Sequence, residues 1–270
     1  MKINELISIG RKIVNLKSKQ IIKFAFLLIK KYKMKTRIFL ILITIGTLFL
    51  TSCFINCVTG SGDVGSEERN VEAFNAIDLS GTANVYISKS RNNKVEIKTD
   101  DNIMPLVETY VKSGKLHISN KKCISKTTVF DIYVSMPEIE ELNVSGSGQI
   151  HSDDKFKSNN VKLIVSGSGE ILLNIKANYV KSRVSGSGEI ELTGKTDKQD
   201  VRISGSGEYN AFDLTSNETV VDISGSGNCE IFVEESLEAE VSGSGDVEYR
   251  GEPKIVNTEV SGSGTIKKRK

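Results

Sequence analysis

The sequence lacks tryptophan, contains only two histidines and four cysteines, and shows no strong helical pattern beyond the N-terminal leader. No Cys-x-x-Cys pair occurs, and neither His117 nor His151 has a histidine or cysteine partner at metal-ligand spacing. We therefore interpret both histidines as incidental and expect no metal and no cofactor. The absence of helical periodicity predicts an all-β protein.

Basic residues are concentrated in the leader. Residues 1–52 carry 11 lysines and arginines but a single acidic residue, Glu5, which leaves 25 basic and 33 acidic residues in 53–270, a net charge of −8. Affinity for nucleic acid comes mainly from Lys and Arg side chains that neutralise phosphates. The acidic remainder of the chain therefore argues against nucleic acid as a partner.

The leader has the layout of a secretion signal. A basic segment ends at Arg37, residues 38–50 are almost wholly apolar, and Leu-Thr-Ser-Cys follows at 50–53. Thirteen apolar residues are too few to span a bilayer comfortably. The last four residues resemble a bacterial lipobox, which predicts that Cys53 is the lipidated N-terminus, with an uncleaved anchor as the alternative. Because Met34 stands where such a signal peptide begins, we predict an upstream extension at 1–33 and the signal peptide at 34–52.

Two further segments precede the repeats. Residues 53–70 are rich in Gly, Ser and charge, which predicts a tether. Residues 71–140 contain short alternating segments such as Asn84-Val-Tyr-Ile87, the pattern of half-buried strands. Residues 101–111 are expected to form a helical turn or another strand.

A Ser-Gly-Ser-Gly motif recurs in residues 141–270. It begins at residues 145, 166, 185, 204, 224, 242 and 261, and a spacing of 18 to 21 residues is typical of a repeat architecture. We number each copy from the residue before the motif as position 0, which is Val or Ile in all seven copies. In an extended chain, even positions share one face. Position 0, the glycines at positions 2 and 4, and positions 6 and 8 are therefore predicted to face inward, and the serines and position 5 outward.

Stacking of these copies predicts a β-solenoid, similar to a right-handed β-helix, with coils of about 19 residues over 141–270 and a β-rich part before it over 71–140. Glycine in a strand often marks a bend or a close backbone approach. A series of hairpins with the motif as loop is the alternative. Cys229 falls at position 6 and is expected to be buried, although a Cys123–Cys229 disulfide is a second option in an oxidising compartment.

The alternation of strands with the motif, the segment DNIMPLVETYVKSGKLHI at 101–118 and the segment VSMPEIEELNVSGSG at 134–148 together resemble a bacterial family. This family is the putative auto-transporter adhesin, head GIN domain. The resemblance runs from about Ala73 to Ile266. It implies β-helical repeats, a secreted or lipid-anchored protein of the cell envelope, here an outer-membrane lipoprotein, and an adhesin-like role. The family has no established catalytic residues, so the resemblance predicts none in this chain.

The only candidate site in the repeats is a row of carboxylates at position 5. Glu170, Glu189 and Glu208 occupy this position in successive copies, so neighbouring coils stack them on the outer face. Like charges opposite one another are unfavourable, and a hard cation such as Ca²⁺ relieves this through oxygen ligands. A solvated acidic face without a cation is the alternative interpretation.

The sequence predicts a binding protein and not an enzyme, because the repeats supply like residues in rows, whereas a catalytic site needs unlike residues that converge on one point. The expected function is adhesin-like binding of a glycan or an envelope partner at the cell envelope. A structural envelope protein without a ligand is the alternative. A polysaccharide-degrading β-helix enzyme is the third option, and it needs two carboxylates at a suitable separation.

Overall fold

The computed structural model describes residues 57–270. This part of the chain is built from strands and contains no α-helix; a single 3₁₀ turn spans Met104–Leu106. The described residues contain no helix with the length and hydropathy of a membrane span. The strands are β1 Val58–Thr59, β2 Val64–Arg69, β3 Ala76–Gly81, β4 Asn84–Lys89, β5 Lys94–Asp100, β6 Val107–Lys112, β7 Lys115–Asn120, β8 Ile124–Lys126, β9 Phe130–Met136, β10 Glu141–Gly146, β11 Gln149–Gly167, β12 Glu170–Gly186, β13 Glu189–Gly205, β14 Glu208–Gly225, β15 Asn228–Gly243, β16 Asp246–Arg250, β17 Ile255–Gly262 and β18 Thr265–Lys268.

The strands from β10 onwards stack in parallel, one coil on the next, and form a β-solenoid of about seven turns. The register is set by the motif: Gly167 lies opposite Gly186, and Gly186 lies opposite Gly205. Because neighbouring strands run parallel, the motif is not a hairpin loop, and the hairpin alternative is wrong. The predicted all-β solenoid of about 19-residue coils is confirmed.

The inward-facing positions form one continuous core. Position 0 is fully buried at Val165 and Val241, and position 6 is fully buried at Ile171 and Ile190. Cys229 is buried at position 6, as expected. Each coil is too thin to bury its own apolar face, so stacking removes these side chains from water and stabilises the fold.

The two glycines of the motif have different roles, and the prediction for the first is wrong. Gly186, at position 2, is not buried and has a φ of +113°, so the chain bends there and the even–odd alternation of an extended strand does not apply. A Cβ at Gly186 would lie 2.5 Å from the carbonyl oxygen of Gly167 in the neighbouring coil. Gly188, at position 4, is buried and faces inward as predicted, and Ser185 and Ser187 are exposed.

An eighth copy of the motif precedes the seven that the sequence shows. Ser80 and Gly81 pair with Ser145 and Gly146, and Gly81 has the same left-handed backbone, with a φ of +135°. Ala83 takes the place of the inward glycine and is buried. Because Thr82 and Ala83 stand in place of the second serine and the inward glycine, the copy does not read Ser-Gly-Ser-Gly.

Antiparallel strands cover the first coils. Strand β5 pairs with β2 and β9, and β6 pairs with β7. Residues 101–111 contain both predicted alternatives, because the 3₁₀ turn leads directly into β6.

The prediction of a tether that extends to residue 70 is wrong, because β1 and β2 already belong to the fold. Strand β1 pairs with β8, β2 pairs with β5, and a disulfide joins Cys57 to Cys123. The alternative Cys123–Cys229 disulfide is also wrong, since Cys229 has a free, buried thiol. The predictions for residues 1–56, including the lipidation of Cys53 and the start at Met34, lie outside the described residues.

Candidate functional site

The structure places the three predicted carboxylates side by side. Glu170 pairs with Glu189, and Glu189 pairs with Glu208, at the first residues of β12, β13 and β14. The same register continues in both directions. The whole position-5 column is Asp131, Asn84, Gln149, Glu170, Glu189, Glu208, Asn228, Asp246 and Thr265.

Amide side chains relieve part of the repulsion between these carboxylates. Gln149 Nε2 donates to Glu170 Oε2 at 2.7 Å, and Asn210 Nδ2 donates to Glu189 Oε1 at 2.6 Å. Burial raises the pKa of Glu170, and the charges of Glu189 and Glu191 raise it further. Within residues 57–270, no three Asp, Glu, His or Cys side chains are grouped so that they could hold a metal ion. Cation binding by the column stays a prediction that this geometry does not favour.

A second outward column, at position 7, runs beside the first. Its members on successive strands are Tyr133, Tyr86, His151, Leu172, Glu191, Asn210, Glu230, Glu248 and Lys267. The column is aromatic over the first coils and acidic over the later ones. No member of this column is among the site residues predicted from the sequence.

The aromatic end of this column consists of Tyr133, Tyr86 and His151, and we call these three residues the aromatic strip. The rings of Tyr86 and Tyr133 stack at 5.5 Å between centroids, and His151 meets Tyr86 edge-on at 6.3 Å. Tyr86 is 38% exposed and Tyr133 is 42% exposed. Burial, followed by the charge of Asp131, raises the pKa of Tyr86.

Polar groups surround the aromatic strip. Asn84 Nδ2 donates to Asp131 Oδ1 at 3.1 Å in the adjacent column, and a ring nitrogen of His151 lies 2.9 Å from Asp153 Oδ1. A recess of about 180 Å³ opens beside His151, and Leu172 also lines it. The strip therefore places exposed aromatic surface beside fixed hydrogen-bonding groups.

One sequence signal could have found the two tyrosines. The segments Asn84-Val-Tyr-Ile87 and Asp131-Ile-Tyr-Val134 share the order polar, branched apolar, tyrosine, branched apolar. This order matches residues 5 to 8 of a repeat. Neither segment follows an intact Ser-Gly-Ser-Gly, which is why both appeared to lie outside the repeats.

A polar cleft of about 580 Å³ lies elsewhere on the solenoid, between β3, β7, β10 and β11. At its centre, Glu141 Oε1 lies 2.9 Å from Lys115 Nζ and 3.5 Å from Lys162 Nζ. Burial acts to raise the pKa of Glu141, but the hydrogen bonds and charges of the two lysines outweigh it and lower the pKa overall. Ala76 is the only apolar residue in the lining.

Each histidine pairs with a carboxylate. His117 Nδ1 lies 3.0 Å from Asp78 Oδ2, and its ring stacks on Tyr110 at 4.9 Å. No serine or threonine hydroxyl of residues 57–270 hydrogen-bonds to either imidazole. A serine nucleophile activated by histidine requires that contact, so the described part of the chain does not present it.

The family model of the putative auto-transporter adhesin, head GIN domain, matches residues 73–253. The chain belongs to this family. The match begins just before β3 and ends just after β16, so it covers the antiparallel strands other than β2 and all but the last coil. It includes both segments on which the resemblance rests. No curated protein sequence matches the chain.

Three solved structures support the same fold. A putative adhesin from Bacteroides fragilis is 24% identical, with a TM-score of 0.75 over 78% of this chain and 100% of its own. A putative lipid binding protein from Parabacteroides distasonis is 26% identical, with a TM-score of 0.68 over 80% of this chain and 100% of its own. A putative adhesin from the same species is 25% identical, with a TM-score of 0.66 over 79% and 100%.

Membership of this family supports an adhesin-like function and a location at the cell envelope or surface. The family and two of these three structures are named for adhesion, and the third is named for lipid binding. None of these names refers to catalysis, which is consistent with a protein that is not an enzyme.

Proposed function

We propose that this protein is a lipid-anchored adhesin of the cell envelope that binds a glycan through the aromatic strip and catalyses no reaction. The observation that carries this proposal is the pair of exposed, stacked rings of Tyr86 and Tyr133 beside a column of amide and carboxylate side chains. Large exposed apolar side chains are scarce on this otherwise polar surface.

The chemistry of the strip suits a sugar. Aromatic side chains offer rigid apolar contact area, and a phenol adds a polar group at the ring edge. The neighbouring amide and carboxylate oxygens of Asn84, Asp131 and Gln149 can accept hydrogen bonds from sugar hydroxyls. Neighbouring strands are about 4.8 Å apart, so Tyr133, Tyr86 and His151 offer their rings to a ligand on three adjacent strands.

The negative charge of the two outward columns indicates which glycans this face can bind. The later part of both columns carries carboxylates at Glu170, Glu189, Glu191, Glu208 and Glu230. Like charges repel, and an anionic sugar would also lose solvation on binding here. We therefore expect neutral glycans to bind better than glycans that contain uronic or sialic acids.

Two alternatives predict no glycan binding in the test below. A structural envelope protein without a specific ligand would bind no glycan. A lipid is the second alternative, because one structural neighbour is named as a putative lipid binding protein. The polar cleft around Glu141, with a single apolar lining residue, offers no pocket for an acyl chain.

The test uses residues 54–270 on a glycan array. Crystallised relatives match about four fifths of this chain over their whole length, so the corresponding part forms the fold by itself. Wild type should bind a set of neutral glycans, and Tyr86→Ala combined with Tyr133→Ala should weaken that binding at least about tenfold. Exposed aromatic anchors dominate interfaces of this kind.

Tyr110→Ala is the matched control, because Tyr110 is 51% exposed and stacks on His117, but lies on a different column. It removes a comparable exposed, stacked ring and should leave binding unchanged. Absence of binding by wild type would contradict the glycan proposal. Equal binding by wild type and the double variant would place the site elsewhere.

A further inference from the structure

A straight column of lysines runs across three neighbouring coils. Lys157 of β11 lies opposite Lys176 of β12, and Lys176 lies opposite Lys195 of β13. All three residues are exposed, and we call them the lysine ladder. Within residues 57–270, none of the three forms a salt bridge. The ladder therefore carries one unneutralised positive charge on each strand.

The arrangement of the ladder is unfavourable without a ligand, because like charges directly opposite one another on adjacent strands destabilise a sheet. Other lysines of the solenoid have a carboxylate on a neighbouring strand. Lys198 Nζ lies 3.2 Å from Glu218 Oε2, and Lys115 Nζ lies 2.9 Å from Glu141 Oε1. The ladder has no such partner among the described residues, so a bound anion would relieve the repulsion between its lysines.

The sign of the surface charge changes along each of these coils. On β12, the carboxylate of Glu170 precedes Lys176. On β13, the carboxylates of Glu189 and Glu191 precede Lys195. Charges of one sign that line a surface raise the local concentration of ligands of the opposite sign. An anionic ligand is therefore repelled by the columns at positions 5 and 7 and attracted to the ladder.

We propose that the lysine ladder binds an acidic polysaccharide that carries one carboxylate on each sugar. A lysine ammonium group donates hydrogen bonds to carboxylate oxygens. The three lysines are separated by the distance between adjacent strands, about 4.8 Å, which is close to the length of one sugar in an extended polysaccharide. Successive carboxylates of the polymer therefore meet successive lysines. This site is separate from the aromatic strip and does not depend on the glycan proposed to bind there.

The residues beside the ladder favour a sugar over an anionic lipid surface. Asn178 is exposed two residues after Lys176, and its Nδ2 donates to Asn159 Oδ1 at 3.4 Å. Such amides can donate hydrogen bonds to sugar hydroxyls and accept them. Asp197 is exposed at the same offset from Lys195, and a flat anionic membrane would bring its phosphates against this carboxylate. A linear polymer can follow the ladder and leave Asp197 in water.

A second pair of opposed cations on the same two strands provides a matched control. Arg183 of β12 lies opposite Arg202 of β13, and both are exposed. Carboxylates border this pair, because Arg202 Nε lies 3.5 Å from Asp200 Oδ1 and Asp222 lies opposite Arg202 on β14. Replacing both arginines changes the net charge as much as replacing two lysines of the ladder, but it leaves the ladder intact.

The test measures binding of a galacturonate oligomer to residues 54–270 by calorimetry, with a chelator present so that no divalent cation bridges carboxylates. Lys176→Gln combined with Lys195→Gln should weaken binding about tenfold, because two exposed ion pairs are lost. Arg183→Gln combined with Arg202→Gln should change binding by less than about twofold, because exposed charges that do not contact the ligand are largely screened at physiological ionic strength. The methyl ester of the oligomer lacks the carboxylate charges and should not bind.

Two further measurements separate this site from the aromatic strip and from a loss of folding. Tyr86→Ala combined with Tyr133→Ala should leave binding of the oligomer unchanged, so the two proposals fail independently. The lysine double variant should be at least as stable as wild type in thermal unfolding, because it removes like-charge repulsion. The proposal is overturned if wild type does not bind the oligomer, if the methyl ester binds equally well, or if the lysine and arginine variants weaken binding equally. Binding to phosphatidylglycerol vesicles in place of the oligomer would also overturn it.

Discussion

Replacing Gly188 by alanine should destabilise the solenoid far more than replacing the adjacent Ser187 by alanine. A Cβ at Gly188 would lie 2.5 Å from the carbonyl oxygen of Gly169 and would also collide with Cγ1 of Val165. The oxygen belongs to the backbone of a neighbouring coil that is fixed by its own ladder, so it cannot move aside cheaply. Ser187 is exposed, and its side chain points to water.

The magnitude follows from overpacking. A methyl group forced into a filled interior costs about 1–3 kcal/mol, and the upper half of this range applies because one of the two clashes is with backbone. For a domain of this size, 1 kcal/mol lowers Tm by about 2–4 °C, so Gly188→Ala should lower Tm by about 4–12 °C. Exposed substitutions such as Ser187→Ala stay within about 0.5 kcal/mol.

Thermal unfolding of residues 54–270, followed by circular dichroism, measures both variants under the same conditions. Urea unfolding of the same pair gives the free energy independently of temperature. Equal losses of stability in Gly188→Ala and Ser187→Ala would refute the inward placement of the second glycine.

Four further outcomes are expected. The thiol of Cys229, whose pKa burial raises, should react with thiol reagents only after unfolding. Replacing Cys57 by serine removes a crosslink that spans 66 residues and should cost up to about 4 kcal/mol in urea unfolding. The lowered pKa of Glu141 means that its contribution to stability is full above about pH 4.3 and is lost as the pH falls through the lowered value; Glu141→Gln should therefore flatten the acid side of the stability–pH curve. Cys53→Ala in the full gene should abolish acylation and release the protein from the membrane fraction.

The fold of the repeat region could be predicted because the spacing of the motif sets the register between neighbouring coils. Val165, Gly188 and Ile190 all face inward, as the alternation of an extended chain requires. The rule failed at Gly186, because a left-handed residue turns the chain and breaks the alternation. Serine stands on both sides of this glycine, so the alternation of polar and apolar residues does not mark the bend.

The N-terminal part could be predicted only as strands. The disulfide of Cys57 and the pairing of β2 with β5 join segments that are far apart in sequence, and nothing in the composition of residues 57–69 distinguishes an edge strand from a tether. The aromatic strip was missed for a related reason. Its members come from three strands whose order in space, β9, β4 and β11, differs from their order in the chain.

The construction of the coil determines at which positions the residues of the outer face can change. The inward positions are fixed by the core, and the glycine at position 2 is fixed by the carbonyl oxygen of the neighbouring coil. The outward positions 5 and 7 have neither constraint, so changes there alter the face without altering the register. In this chain those positions change from Tyr133 and Tyr86 to Glu230 and Glu248 along a single straight column. A ligand would therefore meet aromatic surface over the first coils and negative charge over the middle coils, whereas Lys267 and Arg269 pair with the carboxylates of the last coils. The coil at which a ligand binds thus selects the chemistry that recognises it.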